Sequence, residues 1–115
     1  MSNYNSFTKY IGQRRMFKGY VSRKGNRRLY DGKKSETVLL ENVVDLESGT
    51  LFRDHLWFEY VPEFKKMNLV EEDIVTFEAT ITTYIKGYMG KKSFMNKYSL
   101  NVALEGIQHV SRVGA

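Results

Sequence analysis

The stretch from Leu69 to Lys86, LVEEDIVTFEATITTYIK, carries the most regular hydrophobic pattern in this 115-residue chain. From Ile74 onward, apolar residues alternate with threonine, glutamate and tyrosine. Because successive side chains of a β-strand point to opposite faces, this period of two indicates a strand with one buried face. The side chains predicted to face the core are Val75, Phe77, Ala79, Ile81, Thr83 and Ile85.

Four further strands and one short helix are predicted around this strand. The strands span Arg15–Ser22, Thr37–Leu46, Leu51–Tyr60 and Tyr98–Val110. The helix begins at Pro62, since proline suits a first helical turn, and continues through Met67. In the third strand, alternation places Phe52, Asp54, Leu56 and Phe58 on one face, and Leu51, Arg53, His55, Trp57 and Glu59 on the other.

Length and composition indicate one compact domain. The chain is 42% hydrophobic and 27% charged and has no cysteine, which excludes a disulfide scaffold, a thiol nucleophile and a Cys-ligated metal site. No stretch approaches the roughly 18 apolar residues of a membrane span, and MSNYNSFTKY lacks the layout of a secretion signal. We therefore expect a cytoplasmic protein without membrane association, with a flexible N-terminal arm at 1–13, one domain at 14–110 and a frayed tail at 111–115.

Charge is segregated along the chain. Residues 1–35 hold ten Lys and Arg and a single carboxylate, for a net charge of +9; residues 36–80 carry −8 and residues 81–115 carry +4. Clustered cations attract polyanions whatever the overall balance. Two segments rich in glycine and basic residues, 23–34 (RKGNRRLYDGKK) and 87–97 (GYMGKKSFMNK), are predicted to be loops that join strands one to two and four to five.

The element order resembles the OB-fold, a five-stranded Greek-key barrel with one short helix between strands three and four. The phrase from Leu69 to Phe77 also resembles the L-x-x-G-D-x-V-x-F lead into strand four of many OB domains, although Glu72 stands where glycine is usual. The resemblance covers about residues 14–110 and implies a mainly β, OB-like Greek-key barrel. An SH3-like or other small barrel is the structural alternative.

The resemblance also implies where a ligand would bind. OB domains that bind oligonucleotides use the faces of strands two and three together with the loops joining strands one to two and four to five, which are the two basic segments here. Cations for phosphate contacts are Arg23, Lys24, Arg27, Arg28, Lys33, Lys34, Lys86, Lys91, Lys92 and Lys97. Rings for base stacking are Tyr20, Tyr30, Trp57, Tyr84, Tyr88 and Phe94, with Arg53 and His55 on the predicted strand face of Trp57.

Each of these features also has an ordinary structural interpretation. A small barrel needs several rings to fill its core, so Trp57 is either packed or exposed as a platform, and a basic loop can be a solvated surface. A catalytic interpretation is weaker, because Asp54 and His55 are adjacent on a strand and point to opposite faces. No phosphate-binding glycine motif, calcium loop or metal-ligand spacing is present in the sequence.

The sequence therefore predicts a non-enzymatic protein, without metal or cofactor, that binds single-stranded DNA or RNA with low sequence specificity. Its size and composition resemble accessory single-strand-binding proteins of bacterial phages, plasmids and mobile elements, which implies replication or recombination proteins as partners. The alternative is a protein-interaction module or phage-encoded inhibitor that acts through its charged faces. In that case the acidic segment 36–80 could pair with the basic ends of a second copy, giving a homo-oligomer.

Overall fold

The computed structural model describes residues 7–29, 31–86 and 99–113, with side chains described outside 84–86 and 99–101. A short 3-10 turn, Thr8–Tyr10, precedes the strands β1 (Arg14–Arg28), β2 (Lys34–Asp45) and β3 (Leu51–Glu59). The helix α1 (Pro62–Lys65) then leads to β4 (Ile74–Lys86) and β5 (Ser99–Val113). The five strands form one antiparallel sheet in the order β3-β2-β1-β4-β5. Within the described part of the chain, no helix has the length and apolar content needed to cross a membrane.

The central strand β1 pairs with two neighbours over different parts of its length. Residues 14–20 pair with β4 and residues 17–28 pair with β2. The ladder to β2 shifts register next to Gly19, opposite Asn42, whose φ of 51° marks an irregular position in β2. A Cβ at Gly19 would lie 3.1 Å from Leu40 Cδ1, so glycine allows β2 to approach β1 closely there.

The core is built around Phe77, which the alternation in β4 predicted correctly. Val75, Phe77, Ala79 and Ile81 are fully buried, while Thr76, Glu78, Thr80 and Thr82 are partly exposed. The ring of Phe77 contacts Phe17, Phe58 and Phe64 at centroid distances of 5.5–5.9 Å. Because Phe64 is the buried residue of α1, this contact packs the helix onto the sheet.

The first basic segment is not the long loop that its composition predicted. Residues 23–28 continue β1 and pair with 34–39 of β2, so the connection shortens to residues 29–33. Most side chains of residues 23–28 and 34–36 are exposed and show no hydrophobic period, whereas Thr37, Val38 and Leu39 are buried where β2 also pairs with β3. We call this extension, residues 23–28 and 34–39, the β1–β2 ribbon.

Both ends of the chain also hold structure in their described parts. Phe7, within the segment expected to be a flexible arm, is 1% exposed and packs on Phe52 at a ring distance of 4.9 Å. Backbone hydrogen bonds join Gly12 and Gln13 to Ile81. At the other end β5 extends through Val113, past the Val110 boundary predicted from sequence.

An ion pair buried between β1 and the end of β2 fixes one edge of the core. Arg15 donates from Nε and Nη2 to Asp45 Oδ2 at 3.1 and 2.8 Å, and Ser48 donates to the same oxygen. Burial raises the pKa of the Asp45 carboxyl, but the hydrogen bonds from Arg15, Ser48 and the Glu47 amide outweigh it, so that this pKa lies below its ordinary value. The Arg15 guanidinium also lies 3.9 Å from the Tyr10 ring centroid, which joins the N-terminal turn to the pair.

The turn before β4 adopts a backbone that favours glycine. Glu72 has a φ of 75°, and its N–H donates to the carbonyl of Val21. The next residue, Asp73, accepts a hydrogen bond from the Val70 amide at 2.9 Å; this bond, together with Arg112, lowers the pKa of the Asp73 carboxyl. Glu72 therefore carries the strain of a left-handed residue at the position where the OB-like phrase usually has glycine.

We predict that Asp45→Asn lowers the free energy of unfolding by about 3–5 kcal/mol, because Arg15 would remain buried without its charged partner. Glu47→Gln is the matched control: Glu47 is exposed and 3.7 Å from Arg15, and its loss should cost less than about 1 kcal/mol. The low pKa of Asp45 means that the pair stabilises the fold above the ordinary carboxyl pKa and ceases to do so as pH falls through the folded-state value. In urea unfolding over a pH series, the free energy of unfolding of the native protein should therefore fall as the pH is lowered, and that of Asp45→Asn should fall less. An equal pH dependence in the two proteins would contradict this.

We predict that Glu72→Gly raises the free energy of unfolding by about 0.5–1 kcal/mol. Relief of a left-handed conformation is worth about 1–2 kcal/mol, and the extra freedom of glycine in the unfolded chain offsets roughly 0.5–1 kcal/mol of it. Glu71→Gly, at an exposed neighbour without a positive φ, should destabilise. Chemical denaturation of the two variants provides the test, and a less stable Glu72→Gly would show that the glutamate side chain has a stabilising role.

Candidate nucleic-acid interface

The outward face of the ribbon and of β3 carries an exposed tryptophan. Strand register places side chains there in rows across β1, β2 and β3, with Arg23, Leu39 and Trp57 forming one row. Because side chains alternate along each strand, the neighbouring rows face the same way. We call this surface the Trp57 face; its members are Tyr20, Arg23, Gly25, Arg27, Ser35, Thr37, Leu39, Glu41, His55, Trp57 and Glu59.

Trp57 lies across the sheet and not inside it. Its side chain starts on β3, and a Cβ at Gly25 on β1 would lie 3.2 Å from the ring atoms Cη2 and Cζ3. Leu39, between them on β2, is only 6% exposed, whereas Trp57 is 48% exposed. The ring therefore rests on the ribbon and keeps a large part of its surface open to solvent.

A cation stands beside this ring. The Arg23 guanidinium carbon is 5.7 Å from the Trp57 ring centroid, within the range of a cation–π contact. Arg23 forms none of the ion pairs found among the described residues. Its guanidinium can thus contact an anion and stay next to the ring.

Two carboxylates flank Trp57 on the same face. Glu59 binds Arg27 Nη2 at 2.9 Å and accepts a hydrogen bond from Ser35 at 2.8 Å. On the other side of Trp57, Glu41 Oε2 lies 3.3 Å from His55 Nε2. Trp57 is therefore bordered by the Glu59–Arg27 ion pair on one side and by the Glu41–His55 contact on the other, and Arg23 is the cation beside the ring.

Clefts open on two sides of the Trp57 ring. An open pocket of about 430 Å³ extends toward the ribbon and is lined by Gly25, Asn26, Arg27, Thr37, Trp57, Phe58 and Glu59. A second cleft, of about 260 Å³, lies between β3 and β5, where Leu56 and Trp57 face Val102 and Leu104. The Trp57 side chain thus lines both of these clefts.

The structure brings five of the predicted site residues onto one face. Tyr20, Arg23, Arg27, His55 and Trp57 all lie on the Trp57 face. Tyr20 also borders an apolar pocket of about 340 Å³ with Val44, Leu46 and Ile74.

Other predicted site residues lie elsewhere. Lys24 points to the opposite side of the ribbon, where its Nζ is 4.9 Å from the Tyr60 ring centroid. Arg28, Lys33 and Lys34 are exposed at the ribbon end. Arg53 is buried and donates to the Val102 carbonyl of β5, so it does not share the exposed face of Trp57. The strand register keeps Arg53 in phase with His55 and Trp57, as alternation predicts, but its guanidinium bonds to β5 and is not exposed.

The second basic segment cannot be placed in the same way. Tyr84 and Lys86 belong to β4 by backbone pairing, but their side chains lie outside the described residues. Six further predicted site residues lie entirely outside the described residues: Tyr30, Tyr88, Lys91, Lys92, Phe94 and Lys97.

Three site residues escaped the sequence analysis. Gly25 was assigned to a loop, yet it forms the surface on which Trp57 rests. Thr37 and Glu59 line the pocket beside the ring. Alternation already predicts Glu59 on the face of Trp57, but not its place in the pocket beside the ring.

Each of the two histidines lies beside one glutamate. Besides the His55–Glu41 contact, His109 Nε2 lies 3.5 Å from Glu78 Oε1, a proximity that sequence spacing did not reveal. Across residues 7–29, 31–86 and 99–113, no three His, Asp or Glu side chains come together as metal ligands would.

Comparison with protein-family models, curated proteins and solved structures yields no match for this chain. The Trp57 face is therefore interpreted from its own geometry. Its distinguishing feature is a half-exposed indole that lies on a glycine and stands beside an arginine.

Proposed function

We propose that this protein binds single-stranded nucleic acid, in the first place single-stranded DNA, without catalysis and with low sequence specificity. The observation that carries the proposal is the Trp57 ring, 48% exposed and supported from below by Gly25. Proteins that bind single strands stack bases on such rings, and each stacked base contributes about 1–3 kcal/mol. Stacking tolerates every base, which explains the low specificity.

Cations around the Trp57 ring would bind the phosphates of the strand. Arg23 adjoins the ring, and Arg28, Lys33 and Lys34 are exposed at the end of the ribbon. Phosphate contacts of this kind release counterions and make affinity fall with salt. We extend the proposal to the basic segment 87–97, with Tyr84, Lys86, Tyr88, Lys91, Lys92, Phe94 and Lys97 as further contacts.

The proposal includes an OB-like Greek-key barrel. The short helix between β3 and β4 and the β3-β2-β1-β4-β5 order support it. Further support comes from the hydrogen bond between Arg53 and Val102, which joins the two outer strands β3 and β5. The left-handed Glu72, at the usual glycine position of the OB-like phrase, agrees with the same fold.

Such a protein would act in the cytoplasm as an accessory to replication or recombination, in the manner of the phage and mobile-element proteins that its composition resembles. Discrimination between DNA and RNA would come from contacts to the 2′-hydroxyl group.

A second candidate function is a protein-interaction module. The observation that favours it is the apolar pocket formed by Tyr20, Val44, Leu46 and Ile74, since Leu46 is an exposed large hydrophobic residue. This function predicts a protein partner or a second copy and only weak binding of polynucleotides, independent of Trp57.

We predict that Trp57→Ala weakens binding to a fluorescent oligonucleotide by roughly five- to 150-fold, which corresponds to the loss of one stacked base. Trp57→Phe should retain most of the affinity, because it keeps a ring. Arg23→Gln should lower the salt dependence of binding by about 0.7 in log–log slope, as expected for one lost phosphate contact on a single strand. Titrations of single strand and duplex at several salt concentrations measure these effects, and Trp57 emission reports stacking because it is the sole tryptophan.

Lys66→Gln is the matched control for Arg23, since Lys66 is an exposed cation at the end of α1 and does not belong to the Trp57 face. It should leave the salt slope of binding unchanged. Equal affinity for duplex and single strand, together with no effect of Trp57→Ala in a folded variant, would reject the proposal in favour of the interaction module.

A further inference from the structure

The pocket beside Trp57 has an apolar wall and a polar end. Its wall is the indole ring, its floor includes Gly25, and its polar lining comes from Asn26, Arg27, Thr37 and Glu59. The volume of about 430 Å³ falls in the range of about 300–1,000 Å³ that small-ligand sites occupy. A base that stacks on the ring therefore has room to turn one edge toward these polar groups.

Glu59 is held in place at the polar end of this pocket. One carboxylate oxygen is 2.9 Å from Arg27 Nη2 and the other accepts a hydrogen bond from Ser35 at 2.8 Å. A carboxylate has about four lone-pair sites, so two bonds leave it able to accept more. Its side chain is 49% exposed and thus open to a ligand, while its orientation is already fixed by two partners.

A fixed carboxylate distinguishes amino groups from carbonyl groups. The N4 amino group of cytosine donates to a glutamate, as in direct readout of base edges. Uracil and thymine present the O4 carbonyl at the same position, and two acceptors facing each other repel. Arg27, next to Glu59, offers donors that suit the ring nitrogen and O2 acceptors of cytosine.

From this arrangement we propose that Glu59 is a specificity-determining residue, which makes the Trp57 site prefer cytosine over uracil or thymine. The proposal rests on the proposed function and refines it, since stacking on Trp57 accepts any base while Glu59 adds a preference at that one position. The preference is modest because the carboxylate is half-exposed to water.

The test compares oligo-dC with oligo-dU of equal length, at mildly alkaline pH where cytosine is neutral. The two bases have the same ring size and differ along the edge that Glu59 would contact. We expect the native protein to bind oligo-dC about fivefold more tightly, which corresponds to roughly 1 kcal/mol. Glu59→Gln should abolish or reverse this ratio, because an amide also donates and can bond to O4.

Glu36→Gln is the matched control. Glu36 is a similarly exposed carboxylate on the same ribbon, but it faces the opposite side and pairs with Lys65 at 3.2 Å. Both variants remove one negative charge from the ribbon, so both should raise general affinity alike, yet only Glu59→Gln should change the dC to dU ratio.

The outcomes separate the inference from the function on which it rests. A cytosine preference that Glu59→Gln removes and Glu36→Gln keeps supports the inference. Equal binding of oligo-dC and oligo-dU with quenching of Trp57, or a preference that survives Glu59→Gln, overturns the role of Glu59 and leaves single-strand binding intact. Binding of neither strand, with unchanged Trp57 emission, overturns both.

Discussion

The structure depends on the pairing of β1 with two strands, β4 and β2. Residues 14–20 complete the ladder to β4, while residues 17–28 pair with β2, which in turn pairs with β3. The β4 ladder ends at Tyr20, next to Gly19, where Leu40 approaches within 3.1 Å of the position that a Cβ would occupy. A larger residue would push β2 away and disturb the packing of the buried Leu40 and Val43 beneath it. The phenylalanine core and the ribbon that carries the candidate interface therefore both depend on β1 and on its irregularity next to Gly19.

The candidate interface is a consequence of this geometry. Once β1 has passed Val21, it pairs only with β2, and the outer face of the three-stranded part becomes a shallow surface without a covering layer. Trp57 fills this surface by lying over Leu39 onto Gly25. A side chain at Gly25 would compete with the ring for the same space, so the glycine lets the ring lie down on the strand. The ring is thereby presented to solvent by a rigid sheet and not by a loop, which limits the entropy lost when a flat ligand stacks on it.

Sequence patterns predicted the strands in which alternate side chains face the core. The alternation from Val75 to Ile81 specified β4 and the burial of Phe77, and alternation in β3 placed His55, Trp57 and Glu59 on one face. It did not reveal that Arg53, which lies in register with His55 and Trp57, is buried and bonds to Val102 of β5. It also failed at residues 23–28 and 34–36, because strand segments whose side chains are mostly exposed have the composition of a loop. The support of Trp57 by Gly25 is a contact between β3 and β1, which local pattern does not encode.

The charge segregation of the sequence has a different meaning once the chain is folded. Arg14, Arg15 and Arg27, from the basic N-terminal segment, each pair with a carboxylate from the acidic middle segment. Three of the ten cations of residues 1–35 are therefore paired within the fold, and the others include Arg23 beside Trp57 and Arg28, Lys33 and Lys34 at the end of the ribbon. The surface beside Trp57 is close to electrically balanced, with Glu41 and Glu59 facing His55 and Arg27. For a single strand bound as we propose, the ring and defined hydrogen bonds would contribute more than a diffuse positive field, so the identity of the stacked base would affect affinity.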